Sequence, residues 1–340
     1  MEPRILIVNV NWLGDVLFST PSIRAIRKNY PKAFIACLAP PRCAGLLKNN
    51  PNINEIIETE DKIPFYSVPG HWSVISKLKR RRFDKAIFFH RSRTKAFWAW
   101  AAAIPERIGY QGLGRQKFLT RICAEPVTPV HKTDYFLKLL GELNISPDGR
   151  EPDFFAAAGT EKELKRLFED YGIPGDAPYV VVHAGGNWPL KRWPAGYFIQ
   201  WIQLFLARYP WKVILCGTAS EETLSREISG HFNNERVISF CGKTSIDALA
   251  LLLKNSQLVI TNDSGPIHIA ASQGARIVGL FGPTSPELTG PIARGPALIL
   301  KKDVGCEIPC YYRECDARLC MEWLRPEEVF KKTVEFLNQP

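Results

Sequence analysis

The chain has 340 residues, of which 46% are hydrophobic and 23% are charged. This length and balance exclude a disordered chain and favour two globular domains. The formal net charge is +10, and the excess lies in residues 1–150, which carry 24 Lys and Arg against 12 Asp and Glu. A one-sided basic field indicates an anionic partner, namely a nucleic acid, an anionic membrane surface or a glycolipid.

Strands and helices alternate along the first half, which predicts a doubly wound parallel sheet. The predicted strands are 4–10, 34–38, 55–58 and 85–89. The first predicted helix follows the turn 11–15 and ends at about residue 29. The next predicted helices are 44–49, 74–82, 93–103 and 133–143. Residues 144–160 are rich in Pro, Gly and Asp, so they predict a linker and a domain boundary after residue 158.

The second half alternates in the same way and predicts a second domain over residues 159–340. Its predicted strands are 179–183, 213–216, 237–240, 258–261 and 276–281. Its predicted helices are 161–171, 195–209, 221–231, 245–255, 267–272 and a last helix at about 325–338. We expect no signal peptide, and no apolar run is long enough to span a bilayer.

Three loops that follow predicted strands carry candidate functional residues. Gly14 and Asp15 follow the first strand, where a carboxylate can act as a general base or simply cap the next helix. The loop HAGGNWPLKRWP (183–194) contains a diglycine, and its Lys191 can neutralise a phosphate or remain a solvated surface residue. The turn NDSGP (262–266) leads into a helix, so it predicts either an anion site or an ordinary capped turn.

Several segments, in order over nearly the whole chain, resemble the ADP-heptose:lipopolysaccharide heptosyltransferase family, and most closely its heptosyltransferase II branch. They are NWLGD (11–15), IPERIGY (104–110), HAGG with LKRWP (183–194), and TNDSGPIHIAA with LFGPTSP (261–271 and 280–286). The resemblance implies an α/β protein of GT-B fold, with two Rossmann-like doubly wound domains facing a central cleft. It also implies that the last helix packs back on the first domain.

The resemblance implies an inverting, metal-independent transfer of heptose from ADP-heptose to the lipopolysaccharide core, with no cofactor. Asp15 is then the base, and Lys191 and the segment after Asp263 hold the donor diphosphate. The expected donor-binding residues are Gly14, Gly185, Gly186, Lys191, Thr244, Asp263, Ser264, Gly265, Ile267 and His268. Because Pro266 has no N–H, backbone donors to the diphosphate must come from Ser264, Gly265, Ile267 and His268.

The acceptor implied by the resemblance is lipid A–Kdo–heptose at the inner face of the inner membrane, reached by a cytoplasmic, peripherally bound enzyme. The basic segment from Lys77 to Lys95 is expected to bind its anionic core and lipid A phosphates. The expected acceptor-binding residues are Arg80, Arg81, Arg82, Arg91, Arg93 and Lys95.

The cysteines leave one question open. Nine are present, an odd number that fits a reducing compartment. Cys306, Cys310, Cys315 and Cys320 lie close together, but their spacing lacks the C-x2-C pairs of common zinc sites. A metal site, a disulfide and reduced thiols all remain possible interpretations.

Other functions also fit parts of the sequence. One is another heptosyltransferase (I or III), and another is a nucleotide-sugar transferase or epimerase of the same fold. The basic first half also fits a nucleic-acid-binding protein, although it contains no known nucleic-acid-binding motif.

Overall fold

The computed structural model describes residues 2–60, 63–64, 66–112, 114–232, 235–310, 312 and 314–339. The chain divides into two compact units, Met1–Phe155 and Ala156–Pro340, whereas the sequence placed the boundary after residue 158. Residues just after Phe155 belong to the second unit because the amide of Ala157 donates to Asp247 Oδ1 at 3.2 Å.

The first unit is built on a parallel sheet. In the described residues its strands are β1 (Arg4–Val8), β2 (Phe34–Ala39), β3 (Glu55–Glu58), β4 (Lys85–Phe88), β5 (Glu106–Tyr110) and β6 (Arg121–Cys123). Their order in the sheet is β3-β2-β1-β4-β5-β6. The helices are α1 (Leu13–Asn29), α2 (Pro41–Leu47), α3 (Val68–Arg81), α4 (Arg93–Ala101) and α5 (Lys132–Lys138).

The second unit repeats this arrangement. Its strands are β7 (Tyr179–His183), β8 (Lys212–Leu215), β9 (Val237–Ser239), β10 (Leu258–Asn262), β11 (Ile277–Phe281) and β12 (Ala297–Lys301), in the order β12-β11-β10-β7-β8-β9. The helices are α6 (Thr160–Asp170), α7 (Ala195–Arg208), α8 (Glu222–Ser229), α9 (Ile246–Asn255), α10 (Gly265–Ser272), α11 (Pro286–Thr289), α12 (Leu319–Glu322) and α13 (Pro326–Leu337). Both orders are the doubly wound Rossmann order, so the predicted fold of each unit is confirmed.

Three strands, β5, β6 and β12, were missed in the sequence. In the first sheet β5 and β6 were missed; they begin at the charged residues Glu106 and Arg121, whose side chains pair with each other. β12 lies at the edge of the second sheet and is only half-buried. Its apolar run is only four residues long, and so short a run does not by itself distinguish a strand from another buried segment.

Two helices differ most from their predicted extents. α3 begins at Val68 and not at residue 74, because Pro69 and Gly70 fall in its first turn, where proline is tolerated. The predicted helix 133–143 is split, since α5 ends at Lys138 and a 3-10 helix runs over Leu139–Leu143 around Gly141.

The last helix is part of the second unit's core. α13 packs against α7, and its Val329 and Phe336 are buried with Trp201 and Phe205. The expected packing of this helix on the first domain stays a prediction. No helix in the part of the chain that the structure describes has the length and apolar character needed to cross a bilayer.

The topology places the predicted loops at the reversal points of the two sheets. In the first unit the strand order reverses between β1 and β4, and in the second between β7 and β10. Ligands of open α/β sheets bind at the carboxyl ends of the strands beside such a point. Asp15 follows β1, while the diglycine loop and the turn at 262–266 follow β7 and β10.

Candidate active site

The predicted general base lies at the start of α1. Asp15 is in the first turn of this helix, where the partial positive charge of the helix terminus stabilises a carboxylate. The turn before it is held by Asn9, whose side chain accepts from the amide of Val10 at 2.8 Å and donates to Ser19 Oγ at 3.0 Å. The structure thus holds a carboxylate in a defined position at the end of β1.

Lys95 lies underneath this turn and not on the surface. Its side chain is 3% exposed, and its ammonium donates to Asn11 Oδ1 at 2.8 Å and to the carbonyl of Asn9 at 3.4 Å. These contacts fix the chain just before Asp15. Lys95 was predicted to bind the acceptor, but its buried ammonium instead positions the turn that carries Asp15.

Positive charge collects at the ends of β4 and β5. The buried Arg115 guanidinium donates to the carbonyls of Tyr110 and His90, both at 2.6 Å, and so bridges the two strand ends. Burial, followed by the charges of Lys95, Arg115 and Lys132, lowers the pKa of His90 to about 3. An anionic ligand would therefore find a positive potential at this edge of the first sheet.

Two predicted acceptor ligands belong to this edge. Arg93 is exposed at the first position of α4, directly after β4. Arg91 is also exposed and lies 3.2 Å from Glu125 Oε1. With Lys95, Arg115 and Lys132 they form what we call the cationic cluster of the first unit.

The other predicted acceptor ligands lie at the opposite edge of the sheet. Arg81 ends α3 beside the first residues of β1 and β3, since its carbonyl accepts from Arg4 Nε at 2.6 Å and its own Nε donates to Glu55 Oε2 at 2.8 Å. Arg80 and Arg82 flank it and are exposed. The structure therefore separates the six basic residues expected to form one acceptor surface, because a helix between two parallel strands crosses from one sheet edge to the other.

In the second unit, the diglycine loop is attached to the end of β10 by Asn262. The amide group of this buried side chain donates to the carbonyls of Ala184 and Gly185 at 2.8 and 3.0 Å. Its oxygen accepts from the amide of Trp193 at 3.0 Å. Asn262 therefore holds both ends of the loop that carries Lys191.

Glu221 also holds the diglycine loop, through a hydrogen bond to its backbone. This residue was not predicted from the sequence as part of the site. Its Oε1 accepts from the amide of Gly186 at 2.7 Å, and its Oε2 accepts from the amide of Thr218 at 2.8 Å. A Cβ on Gly185 would overlap this carboxylate, so glycine there allows Glu221 to approach the loop closely. Glu221 follows β8, far from the loop in sequence, and only the β7–β8 pairing brings them together.

Burial raises the pKa of the Glu221 carboxyl, but its interaction with His183 and the hydrogen bonds from Thr218 outweigh burial and lower it to about 2. His183 Nε2 lies 3.6 Å from Glu221 Oε1, and His183 Nδ1 lies 3.0 Å from Ser264 Oγ. The predicted donor ligand Ser264 is thereby linked through His183 to Glu221.

Lys191 faces the start of α10. Its ammonium lies 2.7 Å from Asp263 Oδ2, and the hydroxyl of Thr284 donates to the same oxygen at 2.6 Å. The Asp263 side chain is 4% exposed, whereas that of Lys191 is 23% exposed. The Asp263 carboxylate contacts Lys191 and Thr284. It therefore orients the ammonium of Lys191, which a ligand can still reach.

The remaining predicted donor ligands of the second unit lie at the same sheet edge, whereas Gly14 lies in the first turn of α1 in the first unit. Gly265 begins α10, and His268 is buried in its first turn. The amide of Ile267 donates to the carbonyl of Ser264 at 3.2 Å, so it is already used within the turn. Thr244 is half-buried after β9, the edge strand, two strands away from β7. A diphosphate could be held here by a helix N-terminus and by Lys191 together.

The sequence profile of glycosyltransferase family 9 (heptosyltransferase) matches residues 71–318, which is most of the chain. The chain belongs to this family. Lipopolysaccharide heptosyltransferase 2 of Salmonella typhimurium is 26% identical to it over 305 residues, which cover 87% of each chain. The predicted family and enzyme class are thereby confirmed.

Solved structures of other family members share the fold. Escherichia coli ADP-heptose lipopolysaccharide heptosyltransferase II matches with a TM-score of 0.80 and 24% identity, over 98% of each chain. A family 9 glycosyltransferase of Veillonella parvula matches with a TM-score of 0.85 and 23% identity, over 99% of this chain and 98% of that one.

In this family 9 glycosyltransferase, the segment that carries the four clustered cysteines contacts the diglycine loop and the residues after β11. The amide of Cys310 donates to the carbonyl of Pro283 at 2.8 Å, and the guanidinium of Arg318 donates to the carbonyl of Arg192 at 2.5 Å. Burial, followed by the neighbouring thiols, raises the pKa of Cys320. All four cysteines are free, and among the described residues no three His, Cys, Asp or Glu side chains are arranged to hold a metal ion.

We expect Glu221→Gln to destabilise this glycosyltransferase at pH 7 by about 1–2 kcal/mol, because a charged acceptor is lost from a site that solvent partly screens. A lowered carboxyl pKa stabilises the fold fully above pH 4.5, the ordinary value, and the effect declines as the pH falls toward 2. The gap in unfolding free energy between wild type and variant should therefore narrow below pH 4.5, which urea titrations at several pH values would measure.

The neighbouring Glu222→Gln is the matched control, since the Glu222 side chain is 42% exposed and pairs with Arg226 on the surface. It should change the stability little at any pH. A gap for Glu221→Gln that stays constant between pH 7 and pH 3 would contradict the assigned role.

Proposed function

We propose that this glycosyltransferase transfers heptose from ADP-L-glycero-D-manno-heptose to the inner core of lipopolysaccharide, adding the second heptose. The observation that carries the proposal is Lys191 held at 2.7 Å from the buried Asp263, beside the first turn of α10. A fixed cation and a helix N-terminus suit a diphosphate leaving group. The names of the Salmonella and Escherichia coli relatives support the choice of donor and acceptor.

The reaction exchanges one bond at C1 of heptose and moves one proton. A hydroxyl oxygen of the acceptor attacks C1 of heptose, the bond from C1 to the β-phosphate oxygen breaks, and the electron pair leaves with ADP. Asp15 accepts the hydroxyl proton as the general base. Lys191 and the amides that begin α10 stabilise the negative charge that develops on the leaving diphosphate. No metal ion is needed for either role.

The acceptor side of the proposal rests on the cationic cluster of the first unit. The inner core and lipid A carry carboxylates and phosphates, which the exposed Arg91 and Arg93 can bind. Lys95 acts indirectly, by holding the turn before Asp15. A lipid-linked acceptor also requires that this cytoplasmic enzyme work at the inner face of the inner membrane.

The proposal is tested by incubating the purified chain with ADP-heptose and three acceptors, which carry Kdo alone, one heptose or two heptoses. Mass spectrometry should show one added heptose on the acceptor with one heptose only, at a rate that EDTA does not change. Addition to the Kdo acceptor or to the acceptor with two heptoses would indicate a different position, and conversion of the donor without an acceptor would indicate an epimerase.

A further inference from the structure

Large hydrophobic side chains are exposed where α3 begins. Tyr66, Val68 and Trp72 are 74%, 71% and 66% exposed, whereas the opposite side of the helix buries Val74 and Leu78 in the core of the first unit. Single exposed hydrophobic residues are common on protein surfaces, but three within seven residues form a patch that favours a partner.

The other end of α3 is basic. Lys79, Arg80 and Arg82 are exposed and line a groove of about 680 Å³. The acid in this groove, Asp84, accepts a hydrogen bond from the amide of Arg4 at 2.7 Å. Three cations therefore face solvent around one carboxylate that already contacts the backbone, and the groove favours an anion.

Lys79, at the basic end, shares one side of the helix with Val68 and Trp72. Val68, Trp72 and Lys79 are four and then seven residues apart, which at 3.6 residues per turn brings them to the same side. The 14 residues of α3 span about 21 Å. We call the two exposed ends of α3, with the residues that flank the helix, the α3 docking face; its members are Tyr66, Val68, Trp72, Lys79, Arg80 and Arg82.

We infer that the α3 docking face binds the surface of an anionic lipid bilayer. Tyr66 and Trp72 lie at the level of the headgroups, where tyrosine and tryptophan are enriched in membrane proteins. The three cations contact lipid phosphates, since basic side chains near an anionic leaflet are attracted to it. The inference rests on the proposed function, in which the acceptor is anchored in a membrane.

The composition of the face favours a bilayer over a polynucleotide. Polynucleotide affinity comes mainly from contacts between cations and phosphates, which would leave Tyr66 and Val68 without a role. A bilayer uses both halves of the face, because its interface accepts aromatic side chains while its phosphates attract the basic end. Arg81 is not part of the face, since it pairs with Glu55.

The test is sedimentation of the full-length chain with vesicles of phosphatidylethanolamine and phosphatidylglycerol. We expect Tyr66→Ser with Trp72→Ser, and separately Lys79→Ser with Arg80→Ser and Arg82→Ser, each to lower the partition coefficient about tenfold or more. Wild type should bind pure phosphatidylcholine vesicles weakly. At 1 M salt, wild type should fall to the level of the triple variant, since the Debye length is then ~3 Å.

Matched controls lie in the second unit. Trp323→Ser removes a tryptophan that is 46% exposed, and Lys162→Ser with Lys165→Ser and Arg166→Ser removes three exposed cations from α6. Both controls should bind vesicles as wild type does. All variants are first compared with wild type by thermal unfolding, and only variants with an unchanged midpoint are used.

Transfer assays separate this inference from the proposed function. With a deacylated, water-soluble acceptor, the docking-face variants should transfer heptose as fast as wild type, whereas their KM for an acceptor embedded in vesicles should rise about tenfold. Vesicle binding by the variants equal to that of wild type would overturn the inference. The inference would also be overturned if the docking-face variants bound vesicles as wild type does and lost only the binding of a polynucleotide. If the docking-face variants lose vesicle binding while wild type transfers no heptose, the docking face stands and the proposed function fails.

Discussion

Asp15→Asn is expected to lower the turnover number by about 10²-fold or more, as for the loss of a general base. Asparagine has nearly the same shape as aspartate, so α1 should still begin at Leu13 and the turn held by Asn9 and Lys95 should be kept. Affinity for ADP, measured by calorimetry, should therefore change little while turnover falls.

The control must separate the chemistry from the effect of a carboxylate on a helix terminus. Asp134 lies in the first turn of α5 in the same unit and pairs with Arg150 on the surface. Asp134→Asn removes a comparable charge from a comparable position and should leave turnover near the wild-type value. Near-normal turnover of Asp15→Asn would rule out this residue as the base.

Lys191→Ala is expected to raise the dissociation constant for ADP about 10- to 100-fold, the usual range for losing a hydrogen bond to a charged group. Transfer should slow as well, because the same ammonium neutralises charge on the departing diphosphate. Calorimetry with ADP and initial rates with ADP-heptose measure the two effects separately.

The same change leaves the carboxylate of Asp263 buried with Thr284 as a partner but without its cation, which destabilises the fold. Lys191→Ala combined with Asp263→Asn should restore stability without restoring ADP affinity. Lys165→Ala is the surface control, since its ammonium is exposed and lies 3.7 Å from Glu169. An ADP affinity of Lys191→Ala equal to that of the control would exclude a phosphate contact.

The prediction of a single acceptor surface formed by the basic residues of the first half was wrong. Lys95 and Arg81 lie in the same basic block, yet one is buried under the turn before Asp15 and the other pairs with Glu55 at the opposite sheet edge. Charge density along a chain predicts the sign of a partner but not the edge of the sheet on which each charge lies. That depends on which helix the residue occupies and where in the helix it falls.

The sequence by itself determined the family, the alternation of strands and helices, and the loops that carry Asp15, Lys191 and Asp263. Such features are local: glycine, proline and short polar residues mark the ends of strands, and a β/α alternation allows few topologies. Most strand positions could therefore be predicted, and the missed ones carry polar residues or lie at a sheet edge.

Only the tertiary structure decided which of these loops meet. The contact between Lys191 and Asp263 joins residues 72 positions apart, and the contact between Glu221 and Gly186 joins residues 35 positions apart. Both form because β7 pairs with β10 on one side and with β8 on the other, an order unlike that of the chain. A contact made by such pairing leaves no periodic signal in the residues around it, so Glu221 and its support of the diglycine loop became visible only in the folded sheet.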